Sequence, residues 1–127
     1  MPIDPNIKIL VVDDFSTMRK IIKNILNQLG FKNIIEADDG TTALEILKKE
    51  KVGLIISDWN MPKMNGLELL KAVRSNEETK DIPFIMVTAE AQKENILEAI
   101  KYKVNQYIVK PFTPETLKEK LEKVFGG

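Results

Sequence analysis

Ile7-Lys8-Ile9-Leu10-Val11-Val12-Asp13-Asp14 is a β-branched apolar run that stops at two adjacent carboxylates. It shows little polar alternation. The stretch Ile7–Val12 therefore reads as a strand buried on both faces, as in a parallel sheet covered by helices. In an open α/β sheet, ligands bind beyond the carboxyl ends of the strands. Asp13 and Asp14 fall at such an end.

The same punctuation recurs along the chain. A helix follows, with Met18, Ile21, Ile22, Ile25, Leu26 and Leu29 spaced at three and four, and Gly30 stops it. Ile34–Ala37 is a short second strand, and a helix with Ala43, Leu44 and Leu47 inward follows Gly40. Leu54–Asp58 is the third strand. Asn65 caps the next helix, which buries Leu67, Leu70 and Val73. Pro83–Val87 is the fourth strand, with proline tolerated at its first position. A fourth helix carries Ile96, Leu97 and Ile100. Tyr107–Val109 is the fifth strand. Thr113-Pro114 opens a last helix with Leu117, Leu121, Val124 and Phe125 inward. Strands alternating with helices predict a doubly wound α/β fold: a five-stranded parallel sheet flanked by five helices.

Composition narrows the chemistry. The chain has 127 residues, no cysteine and no histidine. That removes disulfides, thiolate metal sites, the usual general base and the usual zinc ligand. Lys plus Arg and Asp plus Glu number 19 each. With no basic excess, a nucleic-acid partner is not expected. No apolar run reaches membrane-spanning length, and the start lacks the regions of a secretory signal. A cytoplasmic protein with no membrane partner is expected. No internal repeat or linker divides residues 1–127, so one domain without a separate output domain is expected.

The polar residues at the strand ends form a set. Asp13-Asp14 follows the first strand, Asp58 ends the third, Thr88 follows the fourth and Lys110 follows the fifth. Three neighbouring carboxylates repel unless positive charge is present. Lys110 supplies one charge, and a divalent cation would supply more. All-oxygen donors favour Mg2+ over zinc or copper. A carboxylate is already ionised at neutral pH and can attack phosphorus without a histidine base. The cation, Lys110 and the Thr88 hydroxyl would serve the equatorial oxygens of the transition state. Each residue also has a plain structural reading: a helix cap for Asp13-Asp14 or Thr88, a turn acid for Asp58, a loop signal for Lys110-Pro111. Their coincidence at matching strand ends favours the site.

Four segments carry a family resemblance: Leu10–Arg19, Ile56–Pro62, Met86–Ala91 and Tyr107–Phe112. The chain resembles the receiver domains of response regulators over essentially its whole length. Phe15-Ser16-Thr17-Met18, Trp59-Asn60 and Thr88-Ala89-Glu90-Ala91 resemble the chemotaxis branch. The resemblance, rather than the spacing of the elements, implies the flavodoxin-like strand order 2-1-3-4-5, of which the family is a standing example.

Asp58 would be the phosphoacceptor, forming a 4-aspartylphosphate. Asp14 and Asp58 would hold Mg2+ directly, with the Asn60 backbone carbonyl and with Asp13 acting through water. Lys110 and Thr88 would contact the phosphoryl group, and Thr88 and Tyr107 would form the switch. Asn60 and Glu90 sit where relatives tune dephosphorylation. The Lys110-Pro111 bond is expected to be cis. The partner surface would comprise Ala91, Lys93, Ile96, Tyr107, Val109 and Lys120. Two departures stand out. Tyr102–Gln106 lacks the glycine usual in relatives, which makes Asn105 the candidate left-handed residue. Asn65 replaces an aspartate but caps equally well.

The resemblance implies a monomeric signalling switch rather than an enzyme. It would be phosphorylated by a chemotaxis-type histidine kinase or by small phosphodonors, and it would dephosphorylate itself. Its target would be the flagellar motor switch, with a phosphatase a further candidate partner. A phosphorelay carrier is the alternative within the family. A magnesium phosphohydrolase would need an acid two residues after the nucleophile, where Asn60 stands. A flavodoxin-type carrier would need a phosphate loop where Asp13-Asp14 would repel the flavin phosphate.

Overall fold

In the computed structural model, residues 3–89 and 93–126 are described. Strands and helices alternate as β1 (Ile9–Val12), α1 (Ser16–Gln28), β2 (Ile34–Ala37), α2 (Gly40–Lys49), β3 (Leu54–Asp58), α3 (Gly66–Ser75), β4 (Phe84–Thr88), α4 (Lys93–Lys101), β5 (Gln106–Val109) and α5 (Pro114–Phe125). The strands form one parallel sheet in the order β2-β1-β3-β4-β5. This is the expected order.

Alternation along each strand divides the core into two layers. Ile9 and Val11 share one face with Leu54, Ile56, Ile85, Val87 and Ile108, packed against Ile22 and Leu26 of α1 and Leu117 and Leu121 of α5. Leu10, Val12, Ile55, Phe84 and Met86 face the other way, onto Ala43, Leu69, Leu70, Val73 and Ala99. Each large side chain buried this way contributes about 1.5–3 kcal/mol. Covering both faces explains why the strand sequences lack polar alternation.

Local chemistry sets the ends of the elements. Asn65 accepts the Glu68 N–H at 2.8 Å, and the Glu68 carboxylate accepts the Asn65 N–H at 3.0 Å, forming a capping box. Thr113 caps α5, with Pro114 in its first turn. Asp39, which no sequence signal singled out, caps α2 by accepting the Thr41 and Thr42 N–H groups. After α1, Gly30 takes φ 100°, while its N–H reaches Asn27 O and the Phe31 N–H reaches Leu26 O. This is the paired bonding of a Schellman end.

The end of α4 corrects an expectation. The left-handed residue is Lys103, with φ 65°, and not Asn105. The Lys103 N–H bonds Ile100 O and the Val104 N–H bonds Ala99 O, so the same end forms without glycine. Asn105 is used otherwise. Its Oδ1 accepts the Phe84 N–H at 2.8 Å and Arg74 Nη2 at 2.9 Å. Arg74 reaches from α3 to the carbonyls of Lys80, Ile82 and Lys103 as well.

Some strand bounds shift. Ile7 and Lys8 precede β1, β4 begins at Phe84 rather than Pro83, and β5 begins at Gln106. Pro83 keeps a rung through its carbonyl, which accepts the Ile55 N–H at 3.0 Å. Ile21, expected on the inner face of α1, is 45% exposed. Ile22 and Ile25 fill the face toward the sheet.

Candidate functional site

The register brings the strand-end residues together. Val12 lies opposite Ser57, so Asp13 and Asp58 emerge side by side. Asp58 lies opposite Val87, which places Thr88 one step beyond it. Thr88 in turn lies opposite Val109, so Lys110 follows at the same edge. A sheet in this register converts scattered sequence positions into one cluster.

Lys110 Nζ lies 3.2 Å from Asp58 Oδ1 and 3.4 Å from Asp13 Oδ2. One carboxylate oxygen from each of Asp13, Asp14 and Asp58 lies within 4.8 Å of the other two. Asp13 and Asp58 are buried, and Thr88 is fully so. Burial pushes the Asp58 carboxyl above the ordinary carboxylate range, and the Asp13 charge adds to this. Lys110 opposes both effects without cancelling them.

The plain reading of Asp13-Asp14 as a helix cap does not hold. The cap of α1 is Phe15, which makes no side-chain capping bond. Asp13 Oδ1 instead accepts the Phe15 N–H at 2.9 Å, and Arg19 fastens the loop from below through the Asp13 carbonyl. Asp14 Oδ1 is buried and has no hydrogen-bond partner. An unsatisfied buried acceptor costs about 1–3 kcal/mol, more when charged. The donor set fits a hard divalent cation: three carboxylates, no soft ligand, and one oxygen still to be satisfied.

The surroundings fix the geometry. The Trp59 N–H bonds Val87 O at 3.1 Å and the Gly66 N–H bonds Trp59 O at 2.8 Å. Ser57 Oγ donates to the Asp58 carbonyl at 2.9 Å. The Lys110-Pro111 bond is cis, as expected. Asn60 is exposed in the loop after Asp58, and Lys63 in the same loop takes φ 64°.

The remaining expected residues lie along β5, α4 and α5. Tyr107 is half-buried and packs with the layer that holds Met86 and Ala99. Ile96 and Lys120 are half-buried, and Val109 is exposed. Glu90, Ala91 and the Lys93 side chain lie outside the described residues. Sequence reasoning missed two surface residues here, Leu97 and Ile100, which are 54% and 57% exposed. Their spacing of three placed them on one helix stripe, but the stripe faces solvent while Ala99 faces the core.

Comparison with known proteins agrees with this arrangement. Residues 9–122 match the response regulator receiver domain family. The chain is 58% identical over 123 residues to the chemotaxis protein CheY-3 of Vibrio cholerae serotype O1, covering 97% of this chain and 95% of that protein. It is 58% identical over 118 residues to the chemotaxis protein CheY of Pseudomonas aeruginosa, covering 93% and 95%. Among solved structures, it superposes on Vibrio cholerae CheY4 with a TM-score of 0.88 at 38% identity, covering 94% of this chain and 99% of that one. No helix among the described residues is long and apolar enough to cross a membrane. The chain belongs to the response regulator receiver domain family, as a CheY-like member.

Proposed function

We propose that this protein is a chemotaxis switch that accepts a phosphoryl group on Asp58 from a phosphohistidine of a histidine kinase. The observation that carries this reading is the pairing of Lys110 with both Asp58 and Asp13, beside the unpartnered oxygen of Asp14. An Asp58 oxygen attacks phosphorus and forms the P–O bond. The P–N bond of the donor breaks, and the imidazole nitrogen leaves with the electron pair. Lys110 follows the charge as it moves onto the phosphoryl oxygens, and the Thr88 hydroxyl donates to one of them. Asp13, Asp14, Asp58 and the Asn60 carbonyl would hold Mg2+. When bound, the ion neutralises the acids and balances the phosphoryl charge. Autodephosphorylation would return the switch to rest, with Asn60 and Glu90 governing access of the attacking water.

The readout surface would be α4, β5 and α5. Exposed Leu97, Ile100 and Val109 support it, because an apolar patch on a helix and an edge strand suits a partner helix or peptide. Ala91, Lys93, Ile96, Tyr107 and Lys120 would border it. Phosphorylation favours the active state only through contacts made better in that state. Thr88 and Tyr107 are the residues assigned to that difference. The target would be the flagellar motor switch, in the cytoplasm.

The test is a titration of the motor-switch N-terminal peptide with and without Mg2+ and beryllofluoride, with Trp59 fluorescence read in the same cuvette. Tighter peptide binding in the activated form is expected. A Trp59 response with unchanged peptide affinity would remove the flagellar target and keep the receiver. No Trp59 response would remove the Asp58 assignment as well.

A further inference from the structure

A cavity of about 450 Å³ lies between α3, α4 and the loop leading to β4. Its lining carries Lys71, Arg74, Lys80, Lys101 and Lys103 against a single carboxylate, Asp81. The chain as a whole has zero net charge, so this is a local concentration of cations. In the neighbouring cleft below α2, three lysines are met by four carboxylates. We propose that the cleft between α3 and α4 is a binding site for a small oligophosphate. It lies on other elements than the acidic cluster and does not depend on phosphoryl transfer.

Three observations support the ligand class. Among the described residues, no carboxylate pairs with Lys71, Lys101 or Lys103, whereas Lys80 is held by Glu77 at 3.1 Å. Lys71 and Lys101 converge on one ring, with their Nζ atoms 4.7 and 5.8 Å from the centre of Tyr102. A cation over an aromatic face is held without being neutralised. The volume suits a small ligand better than a protein surface, since such pockets run about 300–1,000 Å³.

The floor of the cleft is fixed. Arg74 uses its fork on the carbonyls of Lys80, Ile82 and Lys103 and on Asn105 Oδ1, at 2.7–3.0 Å. Its donors are committed, so the three unpaired ammonium groups are the ones left for a ligand. Each is a compact point charge with three donors, able to bind a phosphate oxygen as a point charge. Several phosphates held close together match several lysines better than a single carboxylate does.

The experiment is an amide-resolved NMR titration of the intact protein in metal-free buffer at constant ionic strength. Tripolyphosphate is the first probe and ATP the second. Saturable shifts confined to the segments around Lys71–Ser75 and Lys101–Val104 are expected. The triple variant Lys71→Gln, Lys101→Gln, Lys103→Gln should bind at least about tenfold more weakly, since three charges near the ligand are removed. The control triple Lys48→Gln, Lys49→Gln, Lys51→Gln carries the same charge change in the balanced cleft and should bind as the parent does. Tighter ATP than tripolyphosphate would identify a nucleotide as the source of the phosphates, and equal binding a free oligophosphate; both uphold the site. Non-saturating shifts spread over the surface, or equal loss in both triple variants, would overturn it. Among the described residues none of the three ammonium groups holds a carboxylate, so their removal should leave the fold intact, and native far-UV spectra of both variants secure the comparison.

Discussion

The backbone N–H of Lys110 donates to the carbonyl oxygen of Thr88 at 2.7 Å. This bond extends the ladder of β4 and β5 beyond the last strand residue. It fixes the position from which the Lys110 ammonium reaches Asp58. Removing the side chain leaves that backbone bond in place.

Lys110→Ala should therefore fold normally but lose the cation 3.2 Å from the Asp58 carboxylate. Labelling of Asp58 by a small phosphodonor with Mg2+ is expected to slow about 10²–10³-fold, the usual effect of removing one donor from a developing charge. Labelling at the parental rate would take Lys110 out of the reaction.

Asp58 carries a folded-state pKa above its ordinary value of 3.8. The folded chain thus holds this proton more tightly than the unfolded chain. The stability it contributes is fully present below the ordinary value and is lost as pH rises through the folded one. In metal-free buffer, Asp58→Asn should be more stable than the parent at neutral pH and equal to it at acid pH. Urea unfolding at the two pH values checks this. A variant less stable at neutral pH would contradict it. Mg2+ at tenfold its dissociation constant should then stabilise the parent by about 1.4 kcal/mol and the variant by much less.

Two glycines close to the site should respond unequally to alanine. A Cβ at Gly66 would strike the Asp58 carbonyl oxygen and lie 3.0 Å from Trp59 Cα, both backbone atoms. The three atoms nearest a Cβ at Gly40 all belong to the Met64 side chain, Cγ at 2.6 Å, Sδ at 2.8 Å and Cβ at 2.9 Å, so the clash there falls on a side chain rather than on backbone. Gly66→Ala should cost about 1–3 kcal/mol or more, and Gly40→Ala less. Urea unfolding followed by Trp59 fluorescence measures both, and the reverse order would refute the packing seen around Asp58.

The Asp39 cap should show in stability alone. Its carboxyl is held below the ordinary range by the Thr41 hydroxyl first and then by backbone N–H bonds. Its contribution is present above the ordinary carboxylate pKa and disappears as pH falls through the lowered one. Asp39→Ala should lose about 1 kcal/mol at pH 7, or a few degrees in midpoint. The gap to the parent should narrow in acid. A constant gap would mean that the ionised carboxylate is not what matters.

The strand ends were legible because apolar runs end where acids begin, and a parallel register does the rest. Asp13, Asp58, Thr88 and Lys110 followed from that alone. What was not legible depends on partners distant in sequence. Nothing local shows that Asn105 is committed to Phe84 and Arg74, 21 and 31 residues away. Its role there left the left-handed turn to Lys103. In α4, several apolar residues crowd both sides of the helix, so periodicity could not tell which side a small Ala99 would bury. Asp39 carries no distinct signal because Asp38-Asp39-Gly40 reads equally well as a turn.

Arg74 gives the fold a shared hinge pin. One side chain spans the end of α3, the approach to β4 and the turn into β5. These segments cannot fray independently while the guanidinium holds all of them. Opening any one exposes acceptors in the others, so they should behave as a single cooperative unit in native-state hydrogen exchange. The amides of Val104, Asn105 and Phe84 would then share one opening free energy, and a change at the foot of α3 would be felt at β5.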